Sequence, residues 1–495
     1  MAWKNKLYYG DNLDVLRRFI RDETIDLCYI DPPFNSKRNY NQIYNNIGQE
    51  DIAQAHAFVD TWTWDDHANE CLEIILNNSH GTQTKQSQAL IKGLTEVLGK
   101  GSLLAYLVSM SVRIAEIHRV LKDTGSFYLH CDPTASHYLK LVCDAIFASR
   151  KGDFKNEIIW HYRKWSVKQK QFVSNHDNIL FYTKSEDPER VFNTLFMERA
   201  PSTTKRFGNA KIISGYDGAG NRVPSQTGDE ESEGVALDDV WDISRVPPIK
   251  QLYPTEKPEA LLERIIRASS NEEDIVLDAF CGCGTTIVTA QRLKRRWIGI
   301  DITYQSISLI LRRLARIEGA LQLVEQHGVP RDMDSVDALI HKKDDRVRKE
   351  FEKWAILTYS ENRAIINEKK GADRGIDGSA FTLGNRNEKG ETQPATIIFS
   401  VKSGKVGSAV IRDLRGTIER ENAAGGILIT RDDPTPAMIR EAKAAGKYKG
   451  EFTTFDRLQI ITVQDILNGE RMGLPVHEVS KKAQASSGAS QHDLF

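Results

Sequence analysis

The stretch Asp31-Pro32-Pro33-Phe34 contains the residue types of a site that binds a planar amine. It follows the apolar run 25–30, which predicts a buried strand that carries a carboxylate to the edge of a sheet. The two prolines fix the backbone and lack N–H donors, so Asp31 and the neighbouring carbonyls form a rigid group of hydrogen-bond acceptors. Such acceptors can hold the N–H bonds of an exocyclic amine while an aromatic ring stacks on its face. On this stretch alone, a strand followed by a rigid turn is the alternative.

A second chemical signal lies in residues 275–301, which predict a strand, a glycine-rich turn, a helix and a second strand ending at Asp301. Glycines let the backbone approach a ligand closely, and an acid at the end of the second strand can accept from ribose hydroxyls. The turn lacks the Lys-Ser/Thr ending of a phosphate loop, and Asp278 would repel a diphosphate. A nucleoside without phosphates but with an amino-acid tail fits better, and S-adenosylmethionine is such a ligand.

Three stretches together resemble the motifs of exocyclic-amino DNA methyltransferases. They are DPPF at 31–34, TEKP at 255–258 and DAFCGCGT at 278–285. Their order is catalytic motif, recognition region, cofactor motif, which resembles the β class of that family. The likeness covers roughly residues 1–325 and implies an α/β, Rossmann-like fold with a mostly parallel central sheet and an inserted target-recognition region.

The resemblance implies transfer of a methyl group from S-adenosylmethionine to the exocyclic nitrogen of a flipped base in double-stranded DNA. The catalytic residues implied are Asp31, Pro32, Pro33 and Phe34. The cofactor-binding residues implied are Asp11, Thr255, Lys257, Asp278, Phe280, Gly282, Gly284, Thr285 and Asp301.

The choice of base is open between adenine N6 and cytosine N4. Asp-Pro-Pro-aromatic resembles adenine enzymes more often, whereas Ser-Pro-Pro is common among cytosine N4 enzymes, so adenine is favoured. Methylation of cytosine at C5 needs a cysteine nucleophile, usually in a Pro-Cys pair. This chain contains no Pro-Cys, which argues against that chemistry.

A further chemistry is indicated near the C-terminus by Asp377 and Lys402. A strand–turn–strand would bring them together, so that a carboxylate binds Mg²⁺ and a lysine orients water or stabilises developing charge. The sequence GADRGIDG at 371–378, followed by FSVK at 399–402, resembles the Mrr-type branch of PD-(D/E)XK restriction nucleases over roughly residues 346–470. This implies a separate α/β domain with Mg²⁺ at Asp377 and DNA cleavage in a restriction-modification system.

One residue departs from the nuclease pattern. Ser400 occupies the position where these nucleases usually carry Glu or Gln, and a serine hydroxyl is a poor ligand for Mg²⁺. Glu350 or Glu352, on the first predicted helix of this domain, would then complete the site. The alternative is a catalytically inactive module that binds DNA or a partner. An RNA methyltransferase is a third hypothesis.

The elements that must position these residues alternate between strand and helix, with a compositional change near residue 150. The predicted organisation is as follows: 1–155, catalytic half of the methyltransferase core; 156–249, target-recognition region with a flexible acidic loop; 250–325, cofactor-binding half; 326–345, linker; 346–475, nuclease-like domain; 476–495, disordered tail.

The predicted recognition region interleaves basic and aromatic side chains, a pattern that suits a surface for backbone contact and base stacking. The residues concerned are Trp160, His161, Tyr162, Arg163, Lys164, Trp165, Lys168, Lys170, Phe172, Lys205 and Arg206. His130, at the end of a predicted strand, is interpreted as structural.

Composition sets the remaining bounds. The 495 residues are 40% hydrophobic and 27% charged with a net charge of −1, as in ordinary globular proteins of two or three domains. Six cysteines and the absence of an apolar signal core predict reduced thiols and a cytoplasmic location. The spacing of Cys281 and Cys283 does not match paired zinc ligands. A homodimer or a restriction subunit is the partner expected beside DNA.

Overall fold

The computed structural model describes residues 3–33, 62–164, 170–187, 189–213, 215, 221, 223, 226–247, 251, 256–340, 345–367, 375–386 and 392–474. The predicted site residues Phe34 and Thr255 lie outside the described residues, as do Trp165, Lys168 and the tail 476–495. Among the helices described, none combines the length and the apolar character needed to cross a membrane. All six cysteines are described, and each is a buried free thiol.

The chain as far as residue 340 forms an α/β body. Its strands are β1 (Asn5–Tyr9), β2 (Ile25–Ile30), β3 (Leu121–Cys131), β4 (Asp153–His161), β5 (His176–Thr183), β6 (Phe196–Met197), β7 (Ala210–Ile213), β8 (Gln226–Glu231), β9 (Val235–Ala236), β10 (Val240–Asp242), β11 (Ile275–Asp278), β12 (Arg296–Asp301) and β13 (Val324–His327). Its α-helices are α1 (Asn12–Phe19), α2 (Asp66–Asn77), α3 (Lys85–Leu98), α4 (Ser102–Val120), α5 (Ser136–Ile146), α6 (Pro201–Phe207), α7 (Glu259–Ser269), α8 (Thr285–Arg292), α9 (Tyr304–Leu314) and α10 (Met333–Ile340).

Nine of these strands form one sheet in the order β10-β4-β5-β3-β2-β11-β12-β1-β13. Its pairings are parallel except for those of β5, which runs antiparallel to β3 and β4. Alternate residues of β2 go to opposite faces: Cys28 and Ile30 pack with the core that contains α4, whereas Leu27 and Tyr29 pack with the core that contains α7 and α8. Helices therefore cover both faces, which confirms the predicted Rossmann-like class.

The sheet includes strands that the sequence analysis assigned to the recognition region. β4, β5 and β10 lie mostly or wholly within residues 156–249, yet they extend the central sheet beyond β3. The predicted boundary at 155/156 therefore needs correction, because the apolar strands of this region pair with the core. The hairpin of β7 and β8 and the pair of β6 and β9 form separate small sheets.

A second body follows from residue 345. Its elements are α11 (Asp345–Tyr359), β14 (Ile365–Ile366), β15 (Gly378–Arg386), β16 (Thr392–Lys402), α12 (Ser408–Arg420), β17 (Gly425–Thr430), α13 (Pro436–Ala444), β18 (Lys447–Lys449), β19 (Thr454–Asp456), β20 (Leu458–Thr462) and α14 (Val463–Leu467). A five-stranded mixed sheet, β14-β15-β16-β17-β20, has α11 and α14 packed on one face and α12 and α13 on the other. We call this body the C-terminal domain.

The segment 326–345, predicted as a linker, has a helical part that packs on both sides. It contains α10, and Val336 of this helix is buried in the same apolar cluster as Phe351 and Trp354 of α11. Tyr304 of α9 belongs to that cluster too. The two bodies therefore share a packed interface, and Arg431 adds a two-pronged ion pair to Asp337 of α10.

Candidate active site

Four carboxylates follow the ends of four strands at one edge of the central sheet. β2, β11, β12 and β1 are neighbours and run parallel, so their carboxyl ends coincide. Asp31 follows β2, Asp278 and Asp301 end β11 and β12, and Asp11 stands two residues after β1. The chain order is interrupted between β2 and β11, which is where ligands bind in open sheets of this kind.

Asp31 forms an ion pair with Lys257 through its Oδ2 atom. Both side chains are largely buried, and Lys257 directly precedes Pro258, the residue that caps α7. Lys257 was predicted to bind the cofactor, whereas in the structure its ammonium group contacts the predicted catalytic carboxylate.

Behind Asp31 lies a buried chain of polar groups that the sequence analysis did not connect. The Tyr29 hydroxyl is 2.9 Å from Nδ1 of His130, and Nε2 of His130 is 3.4 Å from Asp177. Tyr162 donates to the other oxygen of Asp177 at 3.0 Å. Burial alone would raise the pKa of Asp177, but the hydrogen bond and charge of His130, together with the charge of Lys257, lower it to about 2. Asp177 is therefore a fixed negative charge near Lys257.

The glycine-rich turn between β11 and α8 is built around two acids. Phe280 donates its backbone N–H to Asp278 at 3.0 Å, and Gly282 donates to Asp301 at 2.8 Å. Burial raises the pKa of Asp278 to about 7, with hydrogen bonds from Thr286 and Phe280 opposing the shift. Gly282 and Gly284 both have positive φ, of 48° and 77°. The predicted turn is thus confirmed as a left-handed bend that aims backbone N–H groups at carboxylates.

Not every predicted residue of the turn faces the ligand edge. The Thr285 hydroxyl is buried beside the Cys283 sulfur and the Arg313 guanidinium. Arg313 also binds the Cys283 carbonyl at 3.2 Å and Glu256 at 3.0 Å. It therefore fastens the segment of Lys257 to the glycine-rich turn. Arg313 could not be identified from the sequence, because it lies on α9 and belongs to no motif.

Asp11 is held in place by Arg113, another residue that sequence reasoning missed. Asp11 caps α1 by accepting from the Leu13 N–H at 2.9 Å, and its second oxygen binds Arg113 at 3.0 Å. Arg113 also binds Asn12 at 2.6 Å, and Asn12 donates to the carbonyl of Ala279 at 2.8 Å. One buried arginine of α4 thus connects the loop after β1 to the glycine-rich turn.

The residues at this edge fit a cationic ligand without phosphates. Asp11, Asp31, Asp278 and Asp301 are all acidic, and the two cations described beside them, Lys257 and Arg113, are paired with carboxylates. This group of carboxylates attracts positive charge and repels phosphate. Beside Asp301, Ile302 exposes 60% of its surface and offers an apolar face to a heterocycle.

The predicted basic and aromatic surface is described in part. The Lys164 ammonium and the Arg245 guanidinium lie 5.3 Å and 5.1 Å from the centre of the Tyr162 ring. Phe172 is almost fully exposed. Trp160 and Tyr162 of the predicted surface are themselves buried, so these two rings are not available for stacking on a base, whereas Phe172 is.

In the C-terminal domain, the pairing of β15 with β16 brings Asp377 and Lys402 together, as predicted. The Lys402 ammonium is 3.9 Å from Oδ2 of Asp377, and the same oxygen accepts from the Val401 N–H at 2.6 Å. Ser400 is buried. Within the described part of the chain there is no cluster of three His, Cys, Asp or Glu side chains that could hold a metal ion. The predicted Mg²⁺ site at Asp377 therefore gains no support.

Glu350 does not complete a nuclease site. Its carboxylate accepts from the Tyr304 N–H of α9 at 2.9 Å and pairs with Lys353 at 2.9 Å. The Tyr9 hydroxyl lies 3.4 Å from Oε2, the carboxylate oxygen that also accepts from the Tyr304 N–H. Glu350 thus binds groups of the central-sheet body and does not take the nuclease role that was predicted for it.

Comparison with known families gives two matches. The family model described as DNA methylase (N6_N4_Mtase) matches residues 25–312, which is more than half of the chain. A second model, described as NACHT-associated inactive Restriction Endonuclease 1, matches residues 347–459. The first match contains the glycine-rich turn and the Asp31 motif, and the second contains Asp377, Ser400 and Lys402.

Curated relatives agree with the first match. The chain is 29% identical over 312 residues to the DNA adenine methyltransferase YhdJ of Escherichia coli (strain K12), covering 62% of this chain and 82% of YhdJ. It is 27% identical over 303 residues to the Type II methyltransferase M.BamHI of Bacillus amyloliquefaciens, covering 60% of this chain and 54% of that protein. The chain thus spans most of YhdJ but about half the length of M.BamHI.

Solved structures give weaker likenesses. The putative DNA modification methylase TTHA0409 of Thermus thermophilus, complexed with S-adenosyl-L-methionine, is 17% identical with a TM-score of 0.36, covering 65% of this chain and 98% of that one. The cytosine-N4-specific PvuII DNA methyltransferase is 14% identical with a TM-score of 0.36, covering 66% and 95%. The family model and the curated relatives are therefore the basis for assignment.

Proposed function

The chain belongs to the N6_N4_Mtase family of DNA methylases, and from this premise we propose that it transfers a methyl group from S-adenosylmethionine to the N6 atom of adenine in double-stranded DNA. The observation that carries the proposal is the Asp31–Lys257 ion pair beside the acidic cofactor edge. Asp31 is the acceptor for an amine, and the carboxylates at the neighbouring strand ends form a site for a cationic cofactor. Methyl transfer needs both.

Asp31 and the Pro32 carbonyl are the acceptors for the two N–H bonds of the flipped base. Lys257 takes Oδ2 of Asp31, so we assign Oδ1 to the amine. Hydrogen bonds to both N–H groups favour a pyramidal nitrogen whose lone pair is available for attack. After transfer the nitrogen loses a proton, either to Asp31 or to water. Pro33 keeps the loop rigid, and Phe34 is assigned to stack on the base and offset part of the unstacking cost.

The cofactor supplies an electrophilic methyl group on a sulfonium centre. Asp301 accepts from the ribose hydroxyls, and Phe280, Gly282 and Gly284 line the methionine end. Asp11 and Asp278 provide negative charge for the ammonium and sulfonium groups. Lys257 acts on Asp31 rather than on the cofactor, and the buried hydroxyl of Thr285 supports the turn from inside. Thr255 keeps its proposed place at the cofactor pocket.

Replacement of Asp31 tests this function directly. Asp31→Ala is expected to abolish methyl transfer to duplex DNA, because the amine loses its charged acceptor, while S-adenosylhomocysteine still binds. Transfer of a radioactive methyl group measures the first effect, and titration calorimetry measures the second. A variant that methylates DNA at close to the wild-type rate would refute the proposed role of Asp31.

Mapping of methylated bases decides between adenine and cytosine. Adenine is supported by the Asp-Pro-Pro-aromatic motif and by the likeness to YhdJ, whose name states adenine. DNA from cells that express the chain is expected to contain N6-methyladenine at one recurring sequence. N4-methylcytosine at that sequence would support the alternative base instead. A parallel assay on RNA is expected to show no transfer.

We propose that the C-terminal domain does not cleave DNA by itself and serves as a DNA-binding or partner-docking module. Its match to an inactive restriction-endonuclease family supports this alternative, as do Ser400 and the backbone-bound Asp377. Incubation of unmethylated DNA with Mg²⁺ is expected to leave it uncut. Cleavage that Asp377→Ala or Lys402→Ala abolishes would establish a nuclease in its place.

A further inference from the structure

Glu350 is a C-terminal-domain residue whose hydrogen bonds cross to the methyltransferase body. Its Oε2 atom accepts from the backbone N–H of Tyr304, the first residue of α9, and from the Tyr9 hydroxyl at the end of β1. Lys353, one turn along α11, binds the other carboxylate oxygen at 2.9 Å. Because the carboxylate is charged and partly buried, its 2.9 Å bond from the Tyr304 N–H belongs to the stronger class of hydrogen bonds, whereas the 3.4 Å contact with the Tyr9 hydroxyl is long and weaker.

Both contacts of Glu350 lie next to Asp301, the proposed ribose acceptor. Tyr9 and Asp301 are partners in the parallel pairing of β1 with β12, and the Gly10 N–H donates to the Asp301 carbonyl at 2.9 Å. Thr303 immediately precedes Tyr304, and its N–H and hydroxyl both donate to Oδ1 of Asp301 at 2.9 Å. A shift in the first turn of α9 would therefore change the orientation of the Asp301 carboxylate.

The packing around Glu350 supports a fixed geometry. Tyr304 is buried, its hydroxyl lies 3.0 Å from Thr358 of α11, and its ring meets that of Tyr9 edge-on with centroids 5.8 Å apart. Burial, together with the charge of Glu350, raises the pKa of Tyr9, so its hydroxyl stays protonated and donates. α11 therefore holds the ends of β1 and α9 at defined positions.

We propose that Glu350 is a positioning residue through which the C-terminal domain orders the cofactor site of the methyltransferase. The inference rests on the proposed function, because it concerns the affinity for S-adenosylmethionine. It gives the C-terminal domain a role that needs neither metal nor DNA cleavage. The role is exerted through Thr303 and Tyr304 on Asp301, since Glu350 itself is bound to protein groups.

The test is titration calorimetry of the full chain with S-adenosylhomocysteine, which needs no methyl transfer. Glu350→Ala is expected to raise Kd about three- to tenfold, a fraction of what loss of charged hydrogen bonds can cost. Glu350→Gln keeps an acceptor for the Tyr304 N–H and is expected to recover part of that loss. Glu419→Ala is the matched control, because it removes an exposed carboxylate of α12 in the same domain.

Kinetics separate positioning from general support of the fold. With Glu350→Ala the KM for S-adenosylmethionine is expected to rise, while kcat at saturating cofactor and the KM for DNA stay near wild type. Unchanged Kd in both Glu350 variants would overturn the inference, and so would a lower melting temperature without a change in Kd. A wild-type chain that does not bind S-adenosylhomocysteine would overturn the proposed function and the inference with it.

Discussion

The contact between Lys257 and Asp31 defines the proposed chemistry at the scale of single residues. It joins positions 226 apart in the sequence and places a cation on the carboxylate assigned to the amine. The charge of Lys257 also helps to lower the pKa of Asp177, so the ammonium group acts on a second carboxylate. The lysine therefore fixes the orientation of Asp31 and balances its charge.

Lys257→Met tests this role. Methionine keeps the approximate length of the side chain but removes the charge, so Asp31 is expected to lose its fixed orientation. A fall in kcat of about 100-fold is expected, as for a misplaced catalytic group, while the Kd for S-adenosylhomocysteine stays close to wild type. Lys447→Met, which removes an exposed lysine paired with Asp456, serves as control. A raised Kd with normal kcat would return Lys257 to the cofactor pocket.

Asp278 predicts a pH dependence of cofactor binding. Burial raises the pKa of this carboxyl to about 7, so much of it is protonated at pH 6 and ionised at pH 8. A cationic cofactor favours the ionised form and lowers the pKa, so binding near pH 7 is expected to release protons. Affinity should rise from pH 6 to pH 8. Calorimetry in buffers with different ionisation enthalpies measures the release, and Asp278→Asn should eliminate it.

At the scale of elements, the position of the acidic residues could be predicted from the sequence, but the arginines that hold them and the glycine-rich turn in place could not. Parallel strands put the residues after their carboxyl ends at one edge, so Asp31, Asp278 and Asp301 could be grouped from the sequence. The partners Arg113 and Arg313 come from helices whose sequences carry apolar periodicity and no motif. Which face of a helix meets a given loop depends on packing between distant segments, and a single sequence does not state it.

The full width of the central sheet could not be predicted from the sequence either. β4 ends in Trp160 and His161, which begin the predicted basic and aromatic pattern, yet Trp160 is buried together with Ile158 and with Ile179 of β5. Alternation places polar and apolar residues on opposite faces of one strand. A strand at the margin of a sheet can therefore contribute to the core and to a ligand surface at once.

The turn before α8 gives a prediction about backbone geometry. Gly284 has φ of 77°, and a Cβ atom there would lie 2.5 Å from Cγ1 of Ile310 on α9. Gly284→Ala therefore incurs left-handed strain of about 1–2 kcal/mol and, in addition, a steric clash. Gly319→Ala is the matched control, because its φ is 71° and no heavy atom lies within 4 Å of the added Cβ.

Denaturant unfolding of the two glycine variants measures the difference. Both are expected to lower the free energy of unfolding, and Gly284→Ala is expected to lower it more. The excess reports the clash between the turn and α9. Equal losses would mean that Ile310 moves aside freely, and α9 would then be a poor route for transmitting order to Asp301.

At the scale of the whole molecule, the two bodies share one apolar cluster. Tyr304 of α9, Val336 of α10 and Trp354 of α11 are buried together, so residues of both bodies contribute to one hydrophobic core. Ligand binding that stabilises one partner of such an interface also suppresses local opening of the other. The C-terminal domain should therefore respond to a ligand that it does not touch.

Hydrogen exchange measures this response. Saturating S-adenosylhomocysteine is expected to slow amide exchange in α11, which carries Glu350. α12, on the opposite face of the C-terminal sheet, should change little. Loss of the α11 effect in Glu350→Ala, with saturation maintained, would link it to this carboxylate. Equal slowing in α11 and α12 would instead indicate general stabilisation of the domain.

The six buried cysteines described with the fold can report local opening of the protein through their rate of chemical labelling. All six precede residue 284, and burial raises the pKa of Cys281 and Cys283 in the glycine-rich turn. A thiol reacts with a disulfide reagent only after local opening exposes it and allows it to ionise. The labelling rate therefore times the opening of the methyltransferase body alone. The C-terminal domain contains no cysteine and contributes no signal of its own.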